Sequence, residues 1–176
     1  MFFKLNLQHT VRAVVGLVIT ASLALSSTSA LADDSFSQKL LSRAMDLVGV
    51  KYRFGGTSPT TGLDCSGYVQ YVFKNAVGVS LPRVASAQSQ VGEKITDVAD
   101  MRPGDMVFFN TRGFAYSHVG IYVGNGTFLH SPRTGSSVRF DRVDSPYWKS
   151  RFNGARRVSA SGSQSNDFKS NAPLGM

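Results

Sequence analysis

Cys65 is the only cysteine of the 176-residue chain, and polar Asp64 and Ser66 flank it at the predicted start of a helix. A thiol in the first turn of a helix faces unpaired backbone N–H groups and the positive end of the helix dipole. Both favour the thiolate, so we expect the pKa of Cys65 to fall from about 8.5 toward roughly 3.5–7.5. A lone cysteine is more often a small buried hydrophobe. The polar neighbours favour a nucleophile.

Two histidines follow the cysteine, each at one end of a strand-like run. His118 precedes the apolar run 119–123, and His130 ends the next run, 127–130. A neutral imidazole near pH 7 can take the thiol proton and return it to a leaving amine. A second imidazole can bond to the far nitrogen of the first and fix its tautomer. Taken singly, each histidine is typical of a surface or turn residue. Together with Cys65 they indicate a nucleophile, a base and an orienting group.

Strand parity sets a condition for the two histidines to meet. Residues alternate faces along a strand, and opposed residues of an antiparallel pair share a face. A regular two-residue loop at Asn125–Gly126 would place His118 and His130 on opposite faces. An odd-length loop, which pairs Gly120 with His130, or a β-bulge restores a shared face. We therefore predict an odd-length loop or a bulge between the two histidines.

The periodicity of apolar residues changes from helical in the first half to strand-like in the second. A capping-box pattern at 35–38 and helical spacing predict a first helix over 36–48 that stops at Gly49. Further helices are expected over 65–76 and within 81–90, after a loop over 52–62. Strands are predicted at 106–109, 119–123, 127–130, 137–140 and 155–158. Helices followed by strands predict an α+β domain, with N-terminal helices packed on an antiparallel sheet.

The N-terminal segment has the pattern of a secretory signal peptide. Lys4 and Arg12 accompany an apolar run at 13–25, and small residues end in the cleavage pattern Ala30–Ala32. The run is shorter than the about 20 residues of a membrane span; a retained anchor is the alternative. We expect a signal peptide at 1–32, a domain at 33–158 and a flexible polar tail at 159–176. The protein would then be periplasmic or secreted, without stable membrane insertion after cleavage.

The charge balance indicates an anionic partner. The formal net charge is +8, which suits a cell wall or a membrane surface. The basic residues of the core are scattered, with only Arg156 and Arg157 adjacent, so we predict no nucleic-acid binding. A catalytic zinc site needs three protein ligands. Cys65 and the two histidines lack the close spacing of zinc motifs, so we predict neither a metal nor a cofactor.

Several segments resemble the NlpC-type family of papain-like cysteine peptidases, which cut peptides of bacterial peptidoglycan. They occur in the family's order and extend over about residues 40–158. The matching segments are Tyr52-Arg53-Phe54-Gly55-Gly56, Leu63-Asp64-Cys65-Ser66-Gly67, Leu81-Pro82-Arg83, Pro103-Gly104-Asp105 and His118-Val119-Gly120-Ile121-Tyr122.

The resemblance implies a papain-like fold and assigns a role to each candidate residue. Cys65 would be the nucleophile, His118 the base and His130 the orienting group. Tyr52 would lie beside the cysteine, where its hydroxyl and the Cys65 N–H could hold an oxyanion. The substrate-binding residues implied are Asp64, Ser66 and Arg83, although capping a helix is the simpler role for Asp64.

The resemblance also implies a secreted murein endopeptidase that acts on peptidoglycan through an acyl-enzyme. The bond cut would be the one between γ-D-glutamate and diaminopimelate or lysine, or a diaminopimelate cross-link. The cysteine precedes the histidine, which favours the peptidase branch over the related acyltransferase-like proteins. A non-catalytic peptidoglycan-binding or scaffold protein that retains the fold is the alternative.

Overall fold

Residues 31–160 of the chain are described by a computed structural model. The chain divides into two units, Met1–Ser35 and Phe36–Met176. The predicted signal peptide lies outside the described residues except for positions 31 and 32. The predicted C-terminal tail lies outside them except for positions 159 and 160.

Two helices in the first half of the chain are long, and the other helical segments are short. Helix α2 begins at Cys65 because the side chain of Asp64 caps it, accepting a hydrogen bond from the Gly67 N–H. It ends at Gly78, whose φ of 75° is left-handed. The helical segments are α1 at 31–45, α2 at Cys65–Val77, α3 at Ala85–Gln88, a 3₁₀ turn at Val98–Asp100 and α4 at Pro146–Lys149.

The strands form a six-stranded antiparallel sheet and a separate two-stranded ribbon. The order in the large sheet is β3-β8-β4-β5-β6-β7, so the histidine-bearing strands β5 and β6 are neighbours. The strands are β1 at Thr57–Ser58, β2 at Gly62–Leu63, β3 at Glu93–Ile95, β4 at Met106–Phe109, β5 at His118–Gly124, β6 at Thr127–His130, β7 at Arg139–Arg142 and β8 at Phe152–Arg157.

The predicted α+β class is confirmed, while several predicted boundaries are wrong. Helix α1 is already formed at residue 31 and ends at residue 45, not 48, because the last turn tightens: the Val48 N–H bonds to the Met45 carbonyl. The expected stop at Gly49 has a φ of +89°. The loop predicted over 52–62 contains β1, whose two residues are too few to show a period. Strand β7 begins two residues later than predicted, and β8 begins three earlier.

Both faces of the large sheet are covered by apolar side chains. Strand β4 shows the alternation: Phe108 joins the cluster that contains α1 and α2, whereas Val107 and Phe109 join the opposite cluster. Trp148 of α4 belongs to that second cluster. The sheet therefore separates two cores, and His118, the first residue of β5, packs against Phe109 and Trp148 of the second one. The helices of residues 31–160 include none with the length and hydrophobicity of a membrane span.

Candidate active site

The start of α2 is organised around the carboxylate of Asp64. Its Oδ1 accepts a hydrogen bond of 2.7 Å from the Gly67 N–H, and its Oδ2 accepts one of 3.0 Å from the Gly55 N–H. The Arg83 guanidinium binds both oxygens, at 3.0 and 2.6 Å, and Ser66 Oγ at 2.9 Å. The capping role predicted for Asp64 is confirmed. These three side chains line a cleft beside Cys65, and their contact with substrate stays a prediction.

Cys65 is half-buried and lines a cleft of about 470 Å³. Burial raises the pKa of its thiol, and the nearby Asp64 carboxylate raises it further, while backbone N–H groups of Val119 and Ser66 oppose them. The expected lowering of the pKa is therefore wrong in direction. The favourable N–H groups are present, but the loss of hydration around a thiolate outweighs them. The thiol needs a base to become a nucleophile at neutral pH.

His118 and His130 are in direct contact. His118 Nε2 lies 2.8 Å from His130 Nδ1, and the two rings are nearly perpendicular, at 87°. Both side chains are buried. Burial, followed by the influence of His130, lowers the pKa of His118 well below its usual 6.5. Because His118 is then neutral at pH 7, one of its ring nitrogens carries a lone pair. Nε2 is occupied by His130, so Nδ1 is the ring nitrogen that His130 does not contact.

A β-bulge brings the two rings together, as the parity condition predicted. Strands β5 and β6 pair Tyr122 with Phe128 but Gly124 with Thr127, so Val123 is the extra residue. Asn125–Gly126 forms the two-residue turn, with φ of 51° and 70°. The bulge shifts the parity of the rest of the hairpin, so the prediction of an odd-length loop or a bulge is confirmed.

A carboxylate that the sequence analysis missed lies behind the histidine pair. Asp141 Oδ2 is 2.9 Å from His130 Nε2, accepts a hydrogen bond of 3.2 Å from Trp148 Nε1, and is 3.1 Å from Arg139. Burial alone would raise the pKa of Asp141, but hydrogen bonds from His130 and Arg139 lower it to about 2. The sequence contained no signal for this contact, because the register of β7 against β6 could not be predicted.

Aromatic rings enclose the histidines on the second face of the sheet. Trp148 stacks on His118, with ring centroids 5.5 Å apart and an interplanar angle of 28°. The same indole is 4.7 Å from the Phe109 ring and 5.1 Å from the Phe128 ring. This packing removes water from the histidine pair, which is the physical cause of their low pKa values.

Two adjacent clefts meet at the site. The larger, of about 700 Å³, is lined on the His118 side by the exposed arginines Arg112, Arg133 and Arg139. Tyr52 lines both clefts. Burial and the proximity of Cys65 raise the pKa of Tyr52, so its hydroxyl remains a hydrogen-bond donor. Within residues 31–160, no group of three or more His, Cys, Asp or Glu side chains is arranged to hold a metal ion.

Helices packed on an antiparallel sheet, with a cysteine at a helix start and a histidine pair on neighbouring strands, define the papain-like class of α+β folds. The profile of the NlpC/P60 family matches residues 49–157. The chain belongs to the NlpC/P60 family.

Curated relatives include two murein endopeptidases of one bacterium and a glutamyl hydrolase of another. Murein DD-endopeptidase MepH of Escherichia coli is 41% identical over 120 residues, which cover 67% of this chain and 44% of MepH. Gamma-DL-glutamyl hydrolase of Bacillus subtilis is 44% identical over 119 residues, which are 67% of this chain and 28% of that protein. Murein DD-endopeptidase MepS/Murein LD-carboxypeptidase of Escherichia coli is 42% identical over 120 residues, which cover 68% of this chain and 62% of that protein. The matched region therefore spans less than two thirds of each relative.

Solved structures of the family have the same fold. The NlpC/p60 domain of the peptidoglycan hydrolase SagA superposes with a TM-score of 0.60 at 30% identity, covering 69% of this chain and 98% of that domain. An NLP/P60-family protein similar to a lipoprotein, from Staphylococcus aureus, has a TM-score of 0.64 at 38% identity, covering 72% of this chain and 42% of that one. The papain-like fold implied by the resemblance is thus confirmed.

Proposed function

We propose that this protein is an exported murein endopeptidase, which hydrolyses peptide bonds of peptidoglycan by nucleophilic catalysis at Cys65. The observation that carries the proposal is the 2.8 Å contact between His118 Nε2 and His130 Nδ1, next to a thiol that the Val119 N–H contacts. Family membership and the named activities of the relatives point to the same substrate class.

In the acylation step, His118 Nδ1 takes the thiol proton as the sulfur attacks the carbonyl carbon of the scissile bond. The tetrahedral oxyanion receives hydrogen bonds from the Cys65 N–H and the Tyr52 hydroxyl. The His118 imidazolium, held by His130, gives its proton to the leaving amine, and a thioester remains. A water molecule, deprotonated by His118, then attacks the thioester and releases a carboxylate product and the thiol.

The two clefts suit an anionic stem peptide bound across the nucleophile. On one side Asp64, Ser66 and Arg83 line the cleft that also contains Cys65. On the other side Arg133 and Arg139 line the cleft that contains His118, and Arg112 lines both clefts. Both γ-D-glutamyl–diaminopimelate bonds and diaminopimelate cross-links carry free carboxylates. The relatives include, by name, a murein DD-endopeptidase and a gamma-DL-glutamyl hydrolase.

We also propose that the protein is exported through a cleaved signal peptide. Peptidoglycan lies outside the cytoplasm, and the pattern at 1–32 is that of a signal peptide. We propose cleavage after Ala32, which leaves a domain over 33–158 and a tail over 159–176. N-terminal sequencing of the protein recovered from the periplasm or medium should begin at Asp33.

The decisive experiment is mass spectrometry of fragments released from purified peptidoglycan. We expect Cys65→Ala to release none while still sedimenting with the wall, because the change removes only the sulfur. His118→Ala should be about as damaging, since residues that act as a unit fail together, and His130→Ala should be milder. The masses and new termini of the fragments identify the bond.

Thr134→Ala is the matched control, because Thr134 lines the same cleft as His118 but has no proposed role. It should digest like the wild type. Fragment release by the Cys65→Ala variant would exclude the mechanism. Wall binding without any release by the wild type would favour the non-catalytic binding protein.

A further inference from the structure

His130 is flanked on both sides by hydrogen-bonding partners from neighbouring strands. The register of β6 and β7 pairs His130 with Arg139 and Phe128 with Asp141. Opposed residues share a face, so Asp141 is the diagonal neighbour of His130 on that face. His118 occupies the corresponding diagonal position on β5. The three side chains form a row across three strands, His118–His130–Asp141, joined by contacts of 2.8 and 2.9 Å.

The ionised end of this row determines where the protons lie. The Asp141 carboxylate, ionised at neutral pH, can only accept hydrogen bonds, so His130 must carry its proton on Nε2. A neutral imidazole has one donor and one acceptor nitrogen, so His130 Nδ1 is then an acceptor. His118 must therefore donate from Nε2. Its Nδ1 keeps the lone pair that a base needs.

The carboxylate is itself held in place by two further donors. Trp148 Nε1 donates to the same Oδ2 atom at 3.2 Å, and Arg139 approaches that atom at 3.1 Å. Trp148 also stacks on His118. Trp148 thus contacts both ends of the row: it orients the Asp141 carboxylate and packs against the His118 ring.

We propose that Asp141 is a positioning residue that acts through His130 to fix the tautomer of His118 with Nδ1 unprotonated and available to Cys65. The proposal rests on the proposed function of His118 as the base. The competing explanation is structural, since the same contacts tie β7 to α4. The two explanations differ in the protonated nitrogen of each ring, which can be measured without substrate.

The test is ¹⁵N NMR of the imidazole nitrogens in the full chain at pH 7.5. In the wild type we expect His118 and His130 both to be protonated on Nε2. The third histidine, His9, lies in the segment that we propose is cleaved; in the uncleaved chain its signals are identified by their loss in the His9→Gln variant. In Asp141→Ala we expect both buried rings to become tautomer mixtures, and kcat to fall at least about 10-fold with little change in KM, as when a histidine loses its orienting partner.

Two further variants distinguish an effect of Asp141 on the histidine tautomers from an effect on packing. Asp141→Asn keeps an oxygen that can accept from His130 and Trp148, so we expect it to restore the Nε2–H signals and much of kcat. Asp144→Ala is the matched control: it removes a carboxylate bound to an arginine, Arg142, three residues along the chain. It should have the wild-type spectrum and kcat.

A wild-type spectrum with His130 protonated on Nδ1 overturns the proposal, whether or not any variant folds. So does a folded Asp141→Ala variant with unchanged tautomers. Failure of the wild type to release fragments would instead exclude the proposed function, and the tautomers would still report on Asp141.

Discussion

At the scale of single residues, two opposing influences act on the ionisation of the Cys65 thiol. The start of α2 and the Val119 N–H stabilise a thiolate, but burial and the Asp64 carboxylate destabilise it, and the latter prevail. His118 is neutral because burial lowers its pKa. The resting site is therefore a neutral thiol beside a neutral imidazole. A preformed thiolate–imidazolium pair is not expected, so in the proposed mechanism the proton is transferred as the sulfur attacks.

The pH dependence of alkylation tests this resting state. We expect the rate constant for iodoacetamide at Cys65 to rise with a midpoint above that of a model thiol, about 8.5, because the thiolate is buried. N-acetylcysteine measured in parallel is the reference. His118→Ala should keep the same midpoint, since the ring is uncharged in this range. A reactive plateau extending below pH 6 would show that the ion pair forms in the free enzyme.

At the scale of elements, the β5–β6 hairpin aligns His118 with His130. The bulge at Val123 places His118 and His130 on the same face of the sheet. It also places Gly120 so close to β6 that a side chain there would clash with it. A Cβ at Gly120 would lie 2.7 Å from the Leu129 carbonyl oxygen and 3.1 Å from His130 Cβ. The backbone φ is ordinary here, so space alone requires glycine. The close approach of the two strands keeps His130 within reach of His118.

Gly120→Ala tests this close approach. The added methyl group must push β6 away, so we expect the free energy of unfolding to fall by about 1–3 kcal/mol, as for overpacked cores. The rate of hydrolysis should fall by more than the loss of folded protein explains, because the contact between His118 and His130 lengthens. Urea unfolding and fragment release measure the two effects. Val123→Ala is the control: it keeps the bulge and should keep hydrolysis. Full activity in Gly120→Ala would show that the contact tolerates a shift of β6.

At the scale of the whole molecule, the two buried histidine rings pack against the apolar cluster on the second face of the sheet. The pKa of His130 is lowered by burial, although Asp141 opposes this effect, and that of His118 is lowered more strongly. Both folded-state pKa values thus lie below the unfolded value of about 6.5. The unfolded chain binds more protons below that pH. Stability is fully present above about pH 6.5 and is lost as the pH falls below it.

We therefore expect urea unfolding to show decreasing stability from pH 7.5 to 5.0, with a slope of up to about 1.4 kcal/mol per pH unit for each histidine that stays neutral. Asp141, with a pKa of about 2, does not titrate in this range. His118→Asn removes one titrating ring and should give a shallower slope, even if its stability at pH 7.5 is lower. Equal stability of the wild type at pH 7.5 and 5.0 would contradict the low pKa values.

Local sequence was sufficient for most of the elements and for Cys65, His118 and His130 of the candidate site. The Asp64 cap, the Gly49 and Gly78 stops and the Asn125–Gly126 turn each depend on a few adjacent residues, whose backbone preferences act wherever the chain folds. Short apolar runs predicted the central strands, and parity then required an odd-length loop or a bulge between the histidines. The α+β class follows from the order of these patterns along the chain.

The tertiary structure decided what depends on residues far apart in the chain. Asp141 reaches His130 only through the register of β7, which the packing of Trp148 and the neighbouring strands sets. Arg83 reaches Asp64 across 19 positions, so the charge around the cysteine was not visible in the local pattern. Burial reversed the expected pKa shift of Cys65, because desolvation depends on how much of the folded protein surrounds the thiol. Local preferences determine where a helix begins, whereas hydration and strand register are properties of the assembled core.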